Sequence, residues 1–343
     1  MSTGAMPPAA DTRSGLPPDG APGRGGDLPR TRGGGSTGLG DRLFRGLSLS
    51  AGTFVLMIIL AIGAFLVYRA VPALQDNTAN FFTEKTFFPN DPTTPVFGIA
   101  ALAFGTLLSS ALALVIAFPV ALGVALFISH YAPRRLAAPL GYVIDLLAAV
   151  PSVVYGLWGL YFLNPRIQDT SAFLEQHLGF VPLFDTNGTY GKSVFLAGVV
   201  LAIMILPIVA SLSREVFLQV PLDHQEAALA LGATRWEMVR TTVLPFGRPG
   251  VIGATMLGLG RALGETIAVA LVLSASFQID LKILQPGGNT IAANIANGFG
   301  EASETGRGAL IASGLVLFAI TLVVNVIARA VIHRRREFTG GAS

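Results

Sequence analysis

Residues 226–245 read EAALALGATRWEMVRTTVLP, and residues 261–266, after a run of mostly small and apolar residues, read RALGET. The first segment is polar and amphipathic, and Pro245 is predicted to stop its second helix. The second segment places Arg261 and Glu265 inside a predicted membrane-spanning helix. A loop suited to docking a soluble partner thus adjoins charges inside the membrane, which predicts a transport subunit driven by another chain.

Composition indicates a membrane protein. The chain of 343 residues is 52% hydrophobic and 13% charged, whereas soluble domains carry about 25% charged residues. Its mean hydropathy is +0.63, and the apolar residues come in long blocks. The sequence contains no cysteine, which excludes disulfides, thiolate nucleophiles and Cys-based metal sites.

Six apolar blocks are long enough to cross a membrane, since a transmembrane helix needs about 20 apolar residues. The second block stays apolar past Pro119 to Ile128, which predicts a Pro-bent helix that reaches the interface. We therefore predict an all-α polytopic membrane protein with six transmembrane helices and a cytoplasmic coupling loop over 214–249. The predicted spans are residues 47–68, 96–118, 139–163, 194–212, 250–274 and 308–332.

The positive-inside rule orients these spans. Arg134, Arg135 and the run Arg334–Arg336 fall on the same side as the N-terminus, together with most of the 23 Lys and Arg residues. Both termini are therefore predicted to be cytoplasmic. Residues 1–45 are rich in Gly, Pro, Ser and Arg and are predicted to be a disordered tail. Residues 46–333 are predicted to form the membrane domain, followed by a short cytoplasmic tail over 334–343.

The polar segment is predicted to form a helix, a break and a second helix. Asp223 is a candidate N-cap, and Gly232 suits the left-handed residue that follows a helix. Thr234 with Glu237 has capping-box spacing at the start of the second helix. A solvated connector would explain the loop without any function. Its amphipathic pattern favours a helix that lies on the cytoplasmic face and inserts into a groove of a partner.

Arg261 and Glu265 lie one helical turn apart in the fifth predicted span, so they can pair. Arg261 lies about 17 Å from the cytoplasmic end of that span, near the midplane. A charge there is costly, which favours a functional role. A guanidinium offers a planar fork of donors that matches phosphate oxygens, and Glu265 would orient it and limit its attraction for the anion. The alternative is a neutralised pair that locks the helix against its neighbours.

Three more features of the spans have open interpretations. Asp145, about 10 Å into the third span, either pairs with the arginine of the fifth span or faces water near the cytoplasmic mouth. Gly260 and Gly264 form a GxxxG pattern, which predicts tight packing against a second subunit or against neighbouring helices. Pro151 and Pro207 are predicted to break their spans and widen a cavity.

Residues 186–193, TNGTYGKS, come close to a phosphate-binding P-loop. Thr186 stands where the pattern needs glycine, and no buried strand precedes it, so the match is rejected. The four histidines have no HExxH spacing, which argues against a metalloprotease. We therefore expect that the chain binds no cofactor and no metal and performs no covalent chemistry.

Six residues match the EAA---G---------LP signature of the binding-protein-dependent ABC-importer permeases: Glu226, Ala227, Ala228, Gly232, Leu244 and Pro245. Three further segments resemble the phosphate-specific permeases of the PstC type. They are GLGRALGETIAV at 258–269, AAVPSVVYGLWGL at 148–160 and TIAANIANGFGEA at 290–302. With the six-span plan, the resemblance covers most of residues 47–332.

This resemblance implies a type I ABC-importer permease fold and a subunit of an ATP-driven phosphate importer in a bacterial inner membrane. In the family the signature loop docks on the ATPase, and the residues matching Arg261 and Glu265 are implicated in transport. The implied partners are a homologous permease (PstA type), an ABC ATPase dimer that uses the ATP (PstB type), an extracytoplasmic phosphate-binding protein (PstS type) and the lipid bilayer. No nucleic acid is expected. A molybdate or sulfate permease and a passive anion channel are the alternatives.

Overall fold

The computed structural model of the chain describes residues 39–91, 93–186 and 188–339. Most of the predicted N-terminal tail, residues 1–38, lies outside these ranges, and so do residues 340–343. The remainder of each predicted tail is helical, because the first helix begins at Leu39 and the last one ends at Thr339.

The described residues are mostly α-helical. One two-stranded antiparallel ribbon pairs β1 (Phe87–Phe88) with β2 (Val96–Phe97). Three π-helical turns, Phe127–Tyr131, Gly159–Leu163 and Val239–Val243, extend or join helices. The helices are α1 Leu39–Asp76, α2 Ala100–Leu126, α3 Arg134–Ala148, α4 Ser152–Trp158, α5 Asn164–Leu178, α6 Val194–Leu218, α7 Leu222–Ala230, α8 Arg235–Met238, α9 Leu244–Leu263, α10 Ile267–Val272, α11 Ile291–Gly298 and α12 Glu304–Thr339.

The chain divides into two compact units between Ile58 and Ile59. The described part of the first unit is the start of α1, where the hydroxyls of Ser50 and Thr53 donate to backbone carbonyls of the preceding turn at 2.9 Å. The second unit holds the rest of α1 and all the other elements. In that unit a Cβ on Gly308 of α12 would lie 2.6 Å from Ala73 Cβ, so α12 packs closely on the end of α1.

Four described helices are long and apolar enough to cross a membrane: Leu43–Asp76, Ala100–Tyr131, Val194–Leu218 and Glu304–Ala330. They correspond to the first, second, fourth and sixth predicted spans, and the second continues through Pro119 as predicted. The third predicted span is not straight, because Arg134–Ala148 and Ser152–Leu178 meet at 88°. The fifth is not continuous, because residues 264–266 separate α9 from α10.

Helix α6 is the centre of the bundle, and small residues let its neighbours approach it. A Cβ on Gly198 of α6 would lie 2.6 Å from the side chain of Leu112 on α2. On the other side, a Cβ on Gly258 of α9 would lie 2.7 Å from Val209 of α6. Pro207 does not break this helix, contrary to expectation. It is buried within an α6 that continues to Leu218.

The α5–α6 loop is tied down by polar contacts. Glu175 of α5 accepts hydrogen bonds from the hydroxyls of Thr186 and Tyr190, each at 2.5 Å, and from the Thr186 amide at 3.0 Å. These donors lower the pKa of Glu175 to about 2. An ion pair of 2.6 Å between Lys282 and Asp185 joins this loop to the α10–α11 loop. The near-P-loop segment therefore contributes to loop structure.

Candidate functional site

Two interrupted helices meet in the structure. Residues 149–151 separate α3 from α4, and residues 264–266 separate α9 from α10. A Cβ on Gly156 of α4 would lie 2.7 Å from Ala268 Cα of α10, so the two short helices touch backbone to backbone. Irregular backbone at membrane depth is stable only where protein covers it or where it lines a watery cavity. The crossing of these two helices supplies the protein cover.

Arg261 lies in the last turn of α9, beside this crossing. Its side chain is half-buried, and its Nε is buried with no hydrogen-bond partner among the described residues. It interacts electrostatically with Tyr155 of α4, whose hydroxyl donates to the Leu147 carbonyl at 2.8 Å. A cation in the last turn is favoured by the helix dipole. The sequence analysis missed Tyr155, although it lies within the quoted segment 148–160.

Glu265 does not pair with Arg261 in the described structure, contrary to the prediction. The residue is 8% exposed, and its carboxylate accepts a hydrogen bond from the Ala268 amide at 3.2 Å. The physical reason is the break after α9, which removes the one-turn spacing that the pairing required. Glu265 instead satisfies an amide at the start of α10, where a negative charge is favoured. Each charge therefore stabilises one of the two helix ends at the break.

Asp145 is exposed on α3 and accepts a hydrogen bond from the Ser211 hydroxyl of α6 at 2.6 Å. The predicted alternative in which Asp145 pairs with Arg261 is wrong for the described structure, where the carboxylate of Asp145 binds a serine of α6. One turn away, a Cβ on Gly141 would lie 1.9 Å from a guanidinium nitrogen of Arg214. Asp145 thus belongs to a polar α3–α6 contact.

Among the described residues, no neighbouring helix packs against the GxxxG glycines, Gly260 in α9 and Gly264 just after it. Nothing lies within 4 Å of a Cβ built on Gly260, and the nearest atom to one on Gly264 is the carbonyl oxygen of Gly260, at 3.5 Å. Both residues are exposed. The glycines of α9 that pack against α6 include Gly258, on the opposite side of α9 from Gly260. Gly260 and Gly264 therefore present a flat, uncovered surface.

The predicted coupling loop forms an elbow, defined here as residues 222–243. Gly232 has φ +87°, which confirms it as the left-handed residue after α7. Thr234 and Glu237 form the predicted capping box, with the Thr234 amide donating to Glu237 at 2.7 Å and the Glu237 amide donating to Thr234 Oγ1 at 3.3 Å. These donors from Thr234 lower the pKa of Glu237.

Two details of the elbow differ from expectation. Asp223 is not the N-cap, because α7 begins one residue earlier and its N-cap position is Pro221. Pro245 does not stop the second helix, because a π-helical turn leads from α8 directly into α9, and Pro245 lies in the first turn of α9. Proline is tolerated there because the first amides of a helix have no carbonyl partner.

The signature residues divide between an exposed and a packed face. Glu226 and Ala227 are exposed, while Ala228 and Leu244 pack against a core cluster formed by α2, α6 and the elbow. Four large apolar side chains of the elbow are exposed. They are Leu222, Leu229, Leu231 and Trp236, exposed by 69%, 42%, 89% and 54%. Apolar surface of this kind marks an interaction site.

Interrupted apolar helices around buried charges, with an amphipathic elbow beside them, define a membrane transport permease. Residues 117–337 match the family described as "Binding-protein-dependent transport system inner membrane component". The chain belongs to this family, and membership implies an ATPase partner and a substrate-binding partner at the inner membrane.

Several relatives resemble the chain over most of its length. "Phosphate transport system permease protein PstC 2" of Mycobacterium tuberculosis is 50% identical over 85% of this chain and 91% of its own length. "Phosphate transport system permease protein PstC" of Xylella fastidiosa is 43% identical over 86% of this chain and 91% of its own length. A solved bacterial ABC transporter involved in the import of alginate has TM-score 0.50 and 15% identity, and covers 85% of this chain and 99% of its own. That last similarity concerns the fold alone.

Proposed function

We propose that the chain is the permease subunit of an ATP-driven importer of inorganic phosphate. Relatives that are 43–50% identical over most of the chain are named phosphate transport permeases. The single observation that carries the proposal is the guanidinium of Arg261 at the break between α9 and α10, with a buried Nε that lacks a hydrogen-bond partner among the described residues.

Arg261 would act as an intermediate site for the anion. A guanidinium makes charge-assisted, forked hydrogen bonds with phosphate oxygens. Because Glu265 binds an amide of α10 and not the guanidinium, the donors of Arg261 stay available to an anion. The buried carboxylate of Glu265 nearby limits the net attraction, so that phosphate is released. Asp145 would line the cytoplasmic side of the pathway through its contact with Ser211 of α6.

The elbow would dock on a cytoplasmic ABC ATPase dimer of the PstB type, which consumes the ATP. The exposed Glu226, Ala227, Leu231 and Trp236 form the docking surface, and Gly232 sets the angle between its helices. The uncovered glycine face of α9 would meet the second permease, of the PstA type. A phosphate-binding protein of the PstS type would deliver substrate from outside, with both termini of this chain cytoplasmic.

The test is uptake of radiolabelled phosphate into vesicles that contain the complete importer. Arg261→Gln should reduce uptake about tenfold or more, since a hydrogen bond to a charged group contributes about 1.5–3 kcal/mol. Arg261→Lys should retain part of the uptake, because lysine keeps the positive charge but lacks the forked pair of donors of a guanidinium. The exposed Arg329→Gln is the matched control.

Normal uptake by Arg261→Gln in an intact complex would refute the role of this arginine. Inhibition by excess sulfate or molybdate would indicate a different oxyanion. Uptake that continues without ATP would indicate a channel.

A further inference from the structure

The side chain of Gln225 on α7 joins the ends of two spans. Its Nε2 donates to the Val220 carbonyl, just beyond α6, at 3.1 Å. It also interacts with the imidazole of His130, in the π-helical turn that ends α2. The neighbouring Ser129 Oγ lies 2.7 Å from Nδ1 of the same ring. The imidazole is thus held between α2 and the elbow.

Apolar packing reinforces this contact. Ala228, one turn along α7 from Gln225, packs against the core cluster that contains Ala125 and Leu126 of α2. His130 itself is half-buried, so an unpaired ring nitrogen would lose hydrogen bonding without regaining full hydration. The elbow is therefore fixed to α2 by a polar and an apolar contact side by side.

The opposite end of α2 contacts the segment that enters α11. The amide of Ile291 donates to Thr106 Oγ1 at 3.0 Å. One residue earlier in α2, a Cβ on Gly105 would lie 2.1 Å from the carbonyl oxygen of Asn289. The backbone of the α11 segment therefore rests directly on α2, and it would have to move if α2 moved.

We propose that α2 is a transmission rod between the elbow and the α11 segment, with His130 as the positioning residue at its elbow end. The rod spans about 40 Å, from the helical rise per residue. The proposal rests on the proposed function, because the ATPase supplies the movement of the elbow. The chain itself provides a rival route, since the elbow continues directly into α9 through Val239–Val243. A motion carried by α9 alone would not need His130.

A thiol reporter on the complete importer separates these two routes. The chain has no cysteine, so Gly300→Cys would carry its unique thiol, beyond α11, at a position where an added Cβ meets nothing within 4 Å. The rate of maleimide labelling, with and without ATP, reports movement of this segment. Phosphate transported per ATP hydrolysed is the second readout. The labelling needs no phosphate, so it tests the rod independently of the proposed substrate.

His130→Ala should retain ATP hydrolysis, abolish the ATP-dependent change in labelling and lower phosphate per ATP by about two- to thirtyfold, the range for removing one link of a coupling network. The double variant His130→Gln/Gln225→His, which exchanges the two side chains, should restore both readouts. The exposed His177→Ala on α5 is the control and should match the reporter background. Thr106→Val tests the other end of α2 without touching the elbow and should give the same defect as His130→Ala.

Three outcomes would overturn the proposal. One is unchanged labelling and transport ratio in His130→Ala and in Thr106→Val. The second is an exchange variant that assembles but restores neither readout. The third is a labelling rate of the Gly300→Cys protein, without further substitutions, that does not change when ATP is added. If the background responds to ATP but takes up no phosphate, the proposed substrate is wrong and the rod remains supported.

Discussion

The hydroxyl of Tyr155 donates a hydrogen bond of 2.8 Å to the carbonyl of Leu147, across the bend between α3 and α4. The bond holds the start of one short helix against the end of another, at the point where the chain turns by 88°. The adjacent Gly156 gives α4 its close approach to Ala268 of α10. The dipeptide Tyr155–Gly156 therefore stabilises both the bend between α3 and α4 and the crossing of α4 with α10 beside Arg261.

Tyr155→Phe removes that hydrogen bond and keeps the ring. We expect a loss of about 1 kcal/mol in the free energy of unfolding, the usual net contribution of one hydrogen bond. The measurement is the Tm of the detergent-solubilised complex. Tyr161→Phe is the control, because the Tyr161 side chain is 76% exposed. Equal Tm shifts in the two variants would show that the Tyr155 bond does not stabilise the bend.

Glu265 should stabilise α10 as a hydrogen-bond acceptor and not through a charge pair. Glu265→Gln keeps an acceptor for the Ala268 amide, so its Tm should stay close to that of the unmodified protein. Glu265→Ala removes the acceptor and should cost about 0.5–2 kcal/mol, as for other helix caps. Comparing the two Tm values tests this role. If the glutamine variant is as unstable as the alanine variant, the negative charge is what matters.

Glu175 gives the α5–α6 loop a pH dependence whose sign follows from its depressed pKa. The carboxylate binds its donors in the folded loop with a pKa of about 2, against 4.5 for the free group. Its stabilisation is therefore complete above about pH 4.5 and is lost as the pH falls towards 2. Hydrogen exchange of residues 183–190, corrected for intrinsic rates, should show protection that declines only within this window.

Glu175→Gln should remove this protection at every pH, since a neutral amide accepts the same donors more weakly. Glu301→Gln serves as the control on a different loop, and Glu301 is exposed. Protection in the Glu175 variant that follows the same pH curve as the unmodified protein would assign the transition to another group.

Gly232 sets the geometry of the elbow through its backbone alone. It has φ +87°, and an added Cβ would meet nothing within 4 Å. Gly232→Ala should cost about 1–2 kcal/mol in the elbow, because alanine disfavours this conformation. Asparagine tolerates it better, so Gly232→Asn should retain more bound ATPase.

The measurement is the amount of ATPase that co-purifies with each variant. Gly300→Ala is the control, at an open position for which no positive φ is found. Alanine and asparagine variants that lose ATPase equally would point to a requirement for a small residue at the docking surface, and not for the left-handed backbone.

The elbow could be predicted because its signals are local. The left-handed conformation of Gly232 depends only on its own backbone. The capping box depends only on Thr234 and Glu237, which are three residues apart. The apolar blocks were equally visible, since length and hydropathy decide whether a helix can span a membrane. The bend at Pro151 also follows from local chemistry, because proline disfavours the helical conformation in the residue before it.

The break at 264–266 could not be predicted in this way. Glycines in an apolar run are compatible with a continuous membrane helix, so Gly264 alone gave no warning. What stabilises the interruption is distant in sequence: α4 meets α10 at Gly156 and places Tyr155 beside Arg261. At Pro207 the prediction failed in the opposite direction, since a break was predicted and α6 is continuous. The packing around α6 keeps the helix intact through a residue that usually breaks one.

The seams between α6 and its neighbours are built from glycine on one helix facing a branched side chain on the other. Gly258 faces Val209, Gly250 faces Val216 and Gly198 faces Leu112, and a Cβ added to each glycine would lie under 3 Å from the nearest atom of the facing side chain. Relatives should therefore change these positions in compensating pairs, with any enlargement on one helix matched by a trimmed residue opposite. Mutational histories should accordingly be correlated within each of these three pairs of positions.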